Sequence, residues 1–349
     1  ERSFDQALSL NKDYGPALSG KAVVTASRAA APGVAPEEKA KLAEQARKLS
    51  HQAVTEAEGD VELRQTNTQG IRVFQLAKPT DNWLSQCQDH YENALEHDEQ
   101  GQDPDPHFFM ARCDRDAFNL DQAIAHYTKV LELGRGRTQQ ADSEMAELQK
   151  VRRAAPGTAH GKAIAFDPSI TRADLAALFV EELQLTRLYK KESPNRFNTS
   201  FQPANQRQLK ADTLQRAPQV TDVENHPLRA DIEEVLRLGV LGLEADASHR
   251  YHPDAAVTRA EFAVMVEDIL VKVTGEKELK KRFVGQASPF PDVRNDAFYF
   301  NAVQTVVSRN LMEPKEKLRG IFAPAEPVTG AESLLVVRQM KDELSSYLR

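Results

Sequence analysis

Two short stretches pair a helix-capping threonine with an arginine and, three residues after the threonine, a carboxylate: Thr171-Arg172-Ala173-Asp174 and Thr258-Arg259-Ala260-Glu261. In the second of them Thr258 and Glu261 make a capping box, hydroxyl and carboxylate capping a helix N-terminus reciprocally. An arginine just inside the cap is expected to project outward, beside backbone N–H groups that also attract anions, which suits a carboxylate or phosphate ligand. Other candidate chemistry is weaker. Gly15-Pro16-Ala17-Leu18-Ser19-Gly20-Lys21 has most of a phosphate loop, but Ala22 follows where a magnesium-binding hydroxyl belongs and no strand precedes it. Gly157 to Lys162 has the wrong spacing for the same loop. Cys87 and His90 share a helical face, yet two ligands fall short of the four a structural zinc needs. They read as packing residues, and no metal or cofactor is expected. Cys87 and Cys113 sit on neighbouring expected helices; the sequence leaves open whether they pair. Asp98, Asp103 and Asp105 lack the spacing of a calcium loop and read as a solvated turn. No nucleophile–base signature occurs, so no catalytic residue is assigned and the protein is expected not to be an enzyme.

The elements that must carry these residues are helical. In Leu120 to Leu133, Leu120, Ala123, Ile124, Tyr127, Val130 and Leu131 follow helical spacing. Ala123 would let a partner helix approach, and Tyr127 would fill the space one turn later. Similar stretches begin at His90 and Phe4, and Ala94 stands 36 residues before Val130. The step from Ala53 to Ala94 is 41, so helices there are extended. Pro16 falls where a first helical turn tolerates it. The pattern resembles the tetratricopeptide repeat over about residues 1–153, with a polar terminal helix over Gln139–Arg153. That resemblance implies a solenoid whose groove docks a protein partner. Trp83, the sole tryptophan, would begin the second helix of one repeat, as a core residue or as an interface anchor.

The second half carries a longer repeat. Val220-Thr221-Asp222-Val223 leads to Tyr251-His252-Pro253 and Thr258; Phe290-Pro291-Asp292-Val293 leads to Ile321-Phe322-Ala323-Pro324 and Thr329. The aspartates are 292 − 222 = 70 apart and the threonines 329 − 258 = 71 apart. A partial earlier copy is Phe166 to Ala176, with no aspartate turn before it; the helix over 139–153 is expected to stand in for its missing first helix. These stretches resemble S-layer homology modules. The resemblance implies a mostly helical, pseudo-threefold domain that binds peptidoglycan or an anionic wall glycan, with Arg172, Arg259, Asp222, Asp292 and Phe298 at the ligand site. Two departures stand out. Gly330 replaces the third arginine, and the family's tryptophan position holds Pro227 in the second copy and Phe298 in the third.

The expected fold is thus all-α dominated: a tetratricopeptide-like superhelix over 1–155, then an S-layer homology region over 156–349 with modules at about 163–190, 220–275 and 288–345. The polar segment Glu192–Gln219 reads as a connector. Of the 349 residues, 45 are Lys or Arg and 52 are Asp or Glu, giving a charge of −7, which argues against a nucleic-acid binder. No apolar run reaches the length of a membrane span. The chain begins at Glu1 within a repeat, so a signal or lipid anchor is expected to have preceded it. The two resemblances together imply a scaffold of the periplasm or outer membrane, of the lipoprotein kind, bound to envelope proteins. The alternative is a subunit of a large outer-membrane assembly whose two halves make only protein contacts.

Overall fold

The structure, a computed structural model, describes residues 1–192 and 220–347. Nearly all of the expected Glu192–Gln219 connector lies outside the described residues. The chain divides into two compact units, Glu1–Gln149 and Lys150–Arg349. The fold is all-α: the described residues form fifteen α-helices and no sheet, only isolated bridges. None of these helices is long and apolar enough to cross a membrane.

The first unit is a run of consecutive helices. These are α1 (Arg2–Leu10), α2 (Gly15–Ala29), α3 (Pro36–Thr55), α4 (Gly59–Ala77), α5 (Trp83–Glu96), α6 (Pro104–Asp116) and α7 (Leu120–Leu133). A further helix, α8 (Thr138–Ala154), runs through the unit boundary. Pro16, Pro36 and Pro104 start their helices, where a missing N–H costs nothing. Short turns fold the chain into hairpins: α2 packs on α3, α4 on α5 and α6 on α7. The first helices also stack in series, α2 on α4 and α4 on α6.

Small residues make this stacking possible. Ala22, Ala26, Ala46, Ala53, Ala94 and Ala123 are all fully buried, so helix axes can approach closely. Tyr127 fills the space one turn after Ala123, also fully buried, and donates its hydroxyl to Glu144 at 2.6 Å. Gly70 marks the tightest approach within α4, since a Cβ there would stand 2.6 Å from the His90 ring.

The second unit contains α9 (Ala159–Ile164), α10 (Arg172–Ala177, continuing as a π-helical turn over Leu178–Glu182), α11 (Leu185–Glu192) and α12 (Arg229–Leu238). It also contains α13 (Arg259–Thr274), α14 (Phe300–Ser308) and α15 (Gly330–Glu343). The expected capped helices begin where the repeat places them: Thr171, Thr258 and Thr329 are the N-caps of α10, α13 and α15. Each threonine hydroxyl accepts the N–H of the residue three positions on.

Three backbone hydrogen bonds close these segments into a ring. Ile170 N–H donates to Val328 O at 3.1 Å, Val328 N–H to Val257 O at 3.0 Å, and Val257 N–H to Ile170 O at 3.1 Å. All three side chains are buried. Each residue stands immediately before its capping threonine, so three copies spaced far apart in the chain meet at one pseudo-threefold centre. In the first copy the short α9 packs on α10 and α15.

Candidate site at the module junctions

The expected ligand residues come together in the second unit, but they face one another. Asp222 accepts the N–H groups of Tyr251 and His252, each at 2.8 Å. Tyr251 O in turn accepts Nε of Arg172 at 2.8 Å. The remaining Arg172 nitrogens donate to Gly242 O at 2.6 Å and Glu244 O at 2.8 Å. The guanidinium lies 4.7 Å over the Tyr251 ring, whose hydroxyl returns a hydrogen bond to Arg172 O at 2.9 Å. A half-buried cation is thus saturated by carbonyls and covered by a ring.

The next junction repeats the design. Asp292 accepts Phe322 N–H at 3.0 Å and Ala323 N–H at 2.6 Å. Arg259 donates Nε to Phe322 O at 2.8 Å and another nitrogen to Glu313 O at 2.8 Å. It also pairs with the Glu332 carboxylate and lies 4.6 Å over the Phe322 ring. His252 and Ala323, the second residues of the two aspartate-bound pairs, both take a left-handed backbone, with φ of 57° and 61°. Two adjacent N–H groups can then converge on one carboxylate, and that gain offsets the strain. Burial raises the Asp222 carboxyl, but the Tyr251 and His252 N–H bonds outweigh it and hold the group below the usual aspartate range.

This geometry corrects the expectation of an outward guanidinium beside free N–H groups. Arg259 is only 3% exposed. The N–H groups at the helix starts are occupied as well: Arg172 N and Ala173 N donate to Ala255 O and Pro253 O, and Arg259 N and Ala260 N to Glu326 O and Pro324 O. Arg172, Arg259, Asp222 and Asp292 therefore hold the junctions closed. The physical reason is distance along the chain. The carbonyls that consume Arg172 lie 70 to 79 residues away, and helical spacing around Arg172 cannot announce them.

Gly330 has a different explanation from a lost arginine. Ile164 stands seven residues before Thr171, as Tyr251 and Phe322 stand before Thr258 and Thr329. At the third junction α9 ends at Ile164 and comes so close that a Cβ on Gly330 would lie 1.8 Å from Ile164 O. Gly330 N–H donates to Asp167 O at 2.9 Å. Restoring arginine there would collide with backbone instead of adding a ligand contact. The third cap also lacks its reciprocal half, because the Glu332 carboxylate is taken by Arg259.

The remaining expected residues lie apart. Phe298 is 82% exposed, with Tyr299 edge-on at 5.1 Å between ring centroids. In the first unit, Trp83 opens α5, half-buried, with the Lys78 ammonium 4.7 Å over its ring. Cys87 and His90 do not converge: His90 Nδ1 bonds Asn67 Oδ1 at 2.8 Å, while Cys87 faces Cys113. The acidic turn is not fully solvated. Asp98 is buried, pairs with Arg64 and accepts Asp103 N–H, and Asp105 pairs with Arg137. Asp98, Asp103 and Arg64 help line a polar cleft of about 590 Å³ that also includes Asp60 and His97.

Sequence reasoning missed Tyr251, Phe322 and Glu332 as members of the junctions. The repeat held the signal for the first two, since 322 − 251 is 71, the same step as the capping threonines. No curated protein and no solved structure matches the chain. Residues 289–332, which span the Asp292 turn, α14, the Phe322 loop and the start of α15, match the S-layer homology domain, and this implies a place at the cell surface or in the envelope.

Proposed function

We propose that the protein is a non-catalytic adaptor of the cell envelope. Its first unit, a tetratricopeptide-like stack, docks an envelope or outer-membrane protein. Its second unit ties that partner to peptidoglycan or another wall polymer, in the periplasm or at the outer membrane. No bond-making step and no cofactor is assigned to either unit. The observation that carries the reading is the three-way closure at Ile170, Val257 and Val328, which joins the matched S-layer homology segment to two further copies of its design. Serial stacking of helix hairpins supports the docking role, because such stacks present an extended surface.

Wall contact falls to exposed groups, since Arg172 and Arg259 are spent inside the junctions. Phe298 offers an open aromatic face at the entrance to α14, suited to the apolar face of a sugar ring. One observation favours a second reading, a subunit that makes only protein contacts: the two arginines are internal and the third position is filled by backbone. Sedimentation of the full chain with purified wall polymer separates the two. Co-sedimentation that falls several-fold in Phe298→Ala is the expected result. A wild-type chain left wholly in the supernatant would end the wall-attachment reading and leave the assembly subunit.

A further inference from the structure

Cys87 on α5 and Cys113 on α6 are both fully buried, and their Sγ atoms stand 2.7 Å apart. That is well inside the contact distance of two unbonded sulfurs. Both also face one acceptor, Ile71 O on α4, at 3.6 and 3.8 Å. Helices α4, α5 and α6 thus aim two thiols at the same point in the core.

A shared metal ion does not explain the pair. Two thiolates on tetrahedral zinc, each about 2.3 Å from the ion, stand about 3.7 Å apart. The nearby His90 is committed to Asn67, and no cluster of three or more ligating side chains occurs among the described residues.

We propose that Cys87 and Cys113 are a cross-linking site, joined as an intramolecular disulfide that locks α5 to α6. The oxidant is a small-molecule or protein disulfide. One cysteine thiolate attacks a sulfur of the donor and releases one donor thiol. The second cysteine, once deprotonated, attacks the mixed disulfide and releases the other. The protein gives up two protons and two electrons, and the donor disulfide leaves as two thiols. Burial pushes the Cys113 thiol well up, as does its neighbour Cys87, so the closed native core does not supply the attacking thiolate from this residue. Exchange therefore belongs to folding or to a local opening of α5 and α6. Once formed, the bond is shielded from reductants.

The envelope reading supplies only the source of oxidant in the cell, and the cross-link is testable without it. The full chain is reduced, unfolded in guanidinium, and refolded with a mixture of oxidised and reduced glutathione. It is then unfolded again and alkylated, and its intact mass is measured. The expected product is a monomer lighter by two hydrogen atoms, unalkylated, yielding one linked peptide pair on proteolysis. Dithiothreitol should reopen it readily only in denaturant. Bridging the 25 residues between the cysteines (113 − 87 − 1) should raise the melting temperature of the first unit by about 10 °C over the reduced chain. In Cys87→Ala/Cys113→Ala that oxidation-dependent rise should vanish; the wild-type mass carries the test even if this variant folds poorly. Two alkylated cysteines, glutathione adducts on both, or a disulfide-linked dimer would overturn the proposal, as would equal melting of the oxidised and reduced wild-type chains.

Discussion

The two units reach an all-α fold by opposite means. The first is held by apolar contacts between helices close in sequence: α2 on α3, α4 on α5, α6 on α7, with alanines letting each pair approach. The second is held at its centre by polar bonds between segments far apart in sequence. Arg172 reaches carbonyls 70 to 79 residues away, and Arg259 reaches partners 54 to 73 residues away. Polar junctions of this kind fail sharply when one partner is removed, because the others stay buried without a hydrogen bond. A stack of hairpins spreads its stability over many small contacts. The same helix content thus hides two different sensitivities.

Removing the Arg259 side chain should give the largest effect. Arg259→Ala strands the Glu332 carboxylate and the buried Phe322 carbonyl, and should cost the second unit about 3–5 kcal/mol. Arg172→Ala, half-buried and bonded only to neutral carbonyls, should cost about 1.5–3 kcal/mol. Denaturant titration followed by circular dichroism measures both. Equal, small losses would mean the junctions do not carry the second unit. Trp83, the only tryptophan, lies in the first unit and serves as the control, since its fluorescence transition should not move.

Gly330→Ala should cost roughly 3 kcal/mol, at the upper end of overpacking, because the clash is with the Ile164 backbone and no rotamer relieves it. Gly330→Arg should cost at least as much and add no anion binding. A stable Gly330→Arg protein would restore the view that an arginine is missing there.

Acidification should separate the units. In the first, burial lowers His90 and His126 to about 4, and His107 below its usual value. A base with a depressed folded pKa contributes stability that is present above its unfolded pKa, near 6.5, and is lost as pH falls towards the folded value. Between pH 7 and 5 the first unit should therefore lose about 2–4 kcal/mol. In the second unit, the Asp174 carboxylate 3.2 Å from Nε2 raises His160 and outweighs its burial. That contribution is fully present below the unfolded pKa and fades as pH rises through the folded one. Trp83 fluorescence against calorimetry at pH 7 and 5 should show the first unit melting earlier in acid while the second holds. Parallel shifts would count against the contrast.

The smallest expected effect is at Trp83. Its ring is half-buried and stacked by Lys78, so Trp83→Ala should cost about 1–2 kcal/mol. If the docking proposal holds, the variant should also retain less partner in co-purification. Unchanged melting together with unchanged retention would assign Trp83 to neither role.

Periodicity and local spacing determined much of this protein. Leu120 to Leu133 announced a helix, Ala123 and Tyr127 announced its buried face, and the 70- and 71-residue steps announced equivalent segments at Asp222 and Asp292, Thr258 and Thr329. Helix formation and capping depend on residues within four positions, so the sequence displays them directly. What faces an arginine just inside a cap is a different matter. The sequence shows a guanidinium beside a helix start and cannot show that Tyr251 O, Phe322 O and Glu332 come from other copies to consume it. Nor can it tell a glycine that has lost an arginine from one that backbone packing demands, as Ile164 O demands at Gly330. Both outcomes were decided only when the ring of Ile170, Val257 and Val328 closed, because closure sets which surfaces remain open to a ligand.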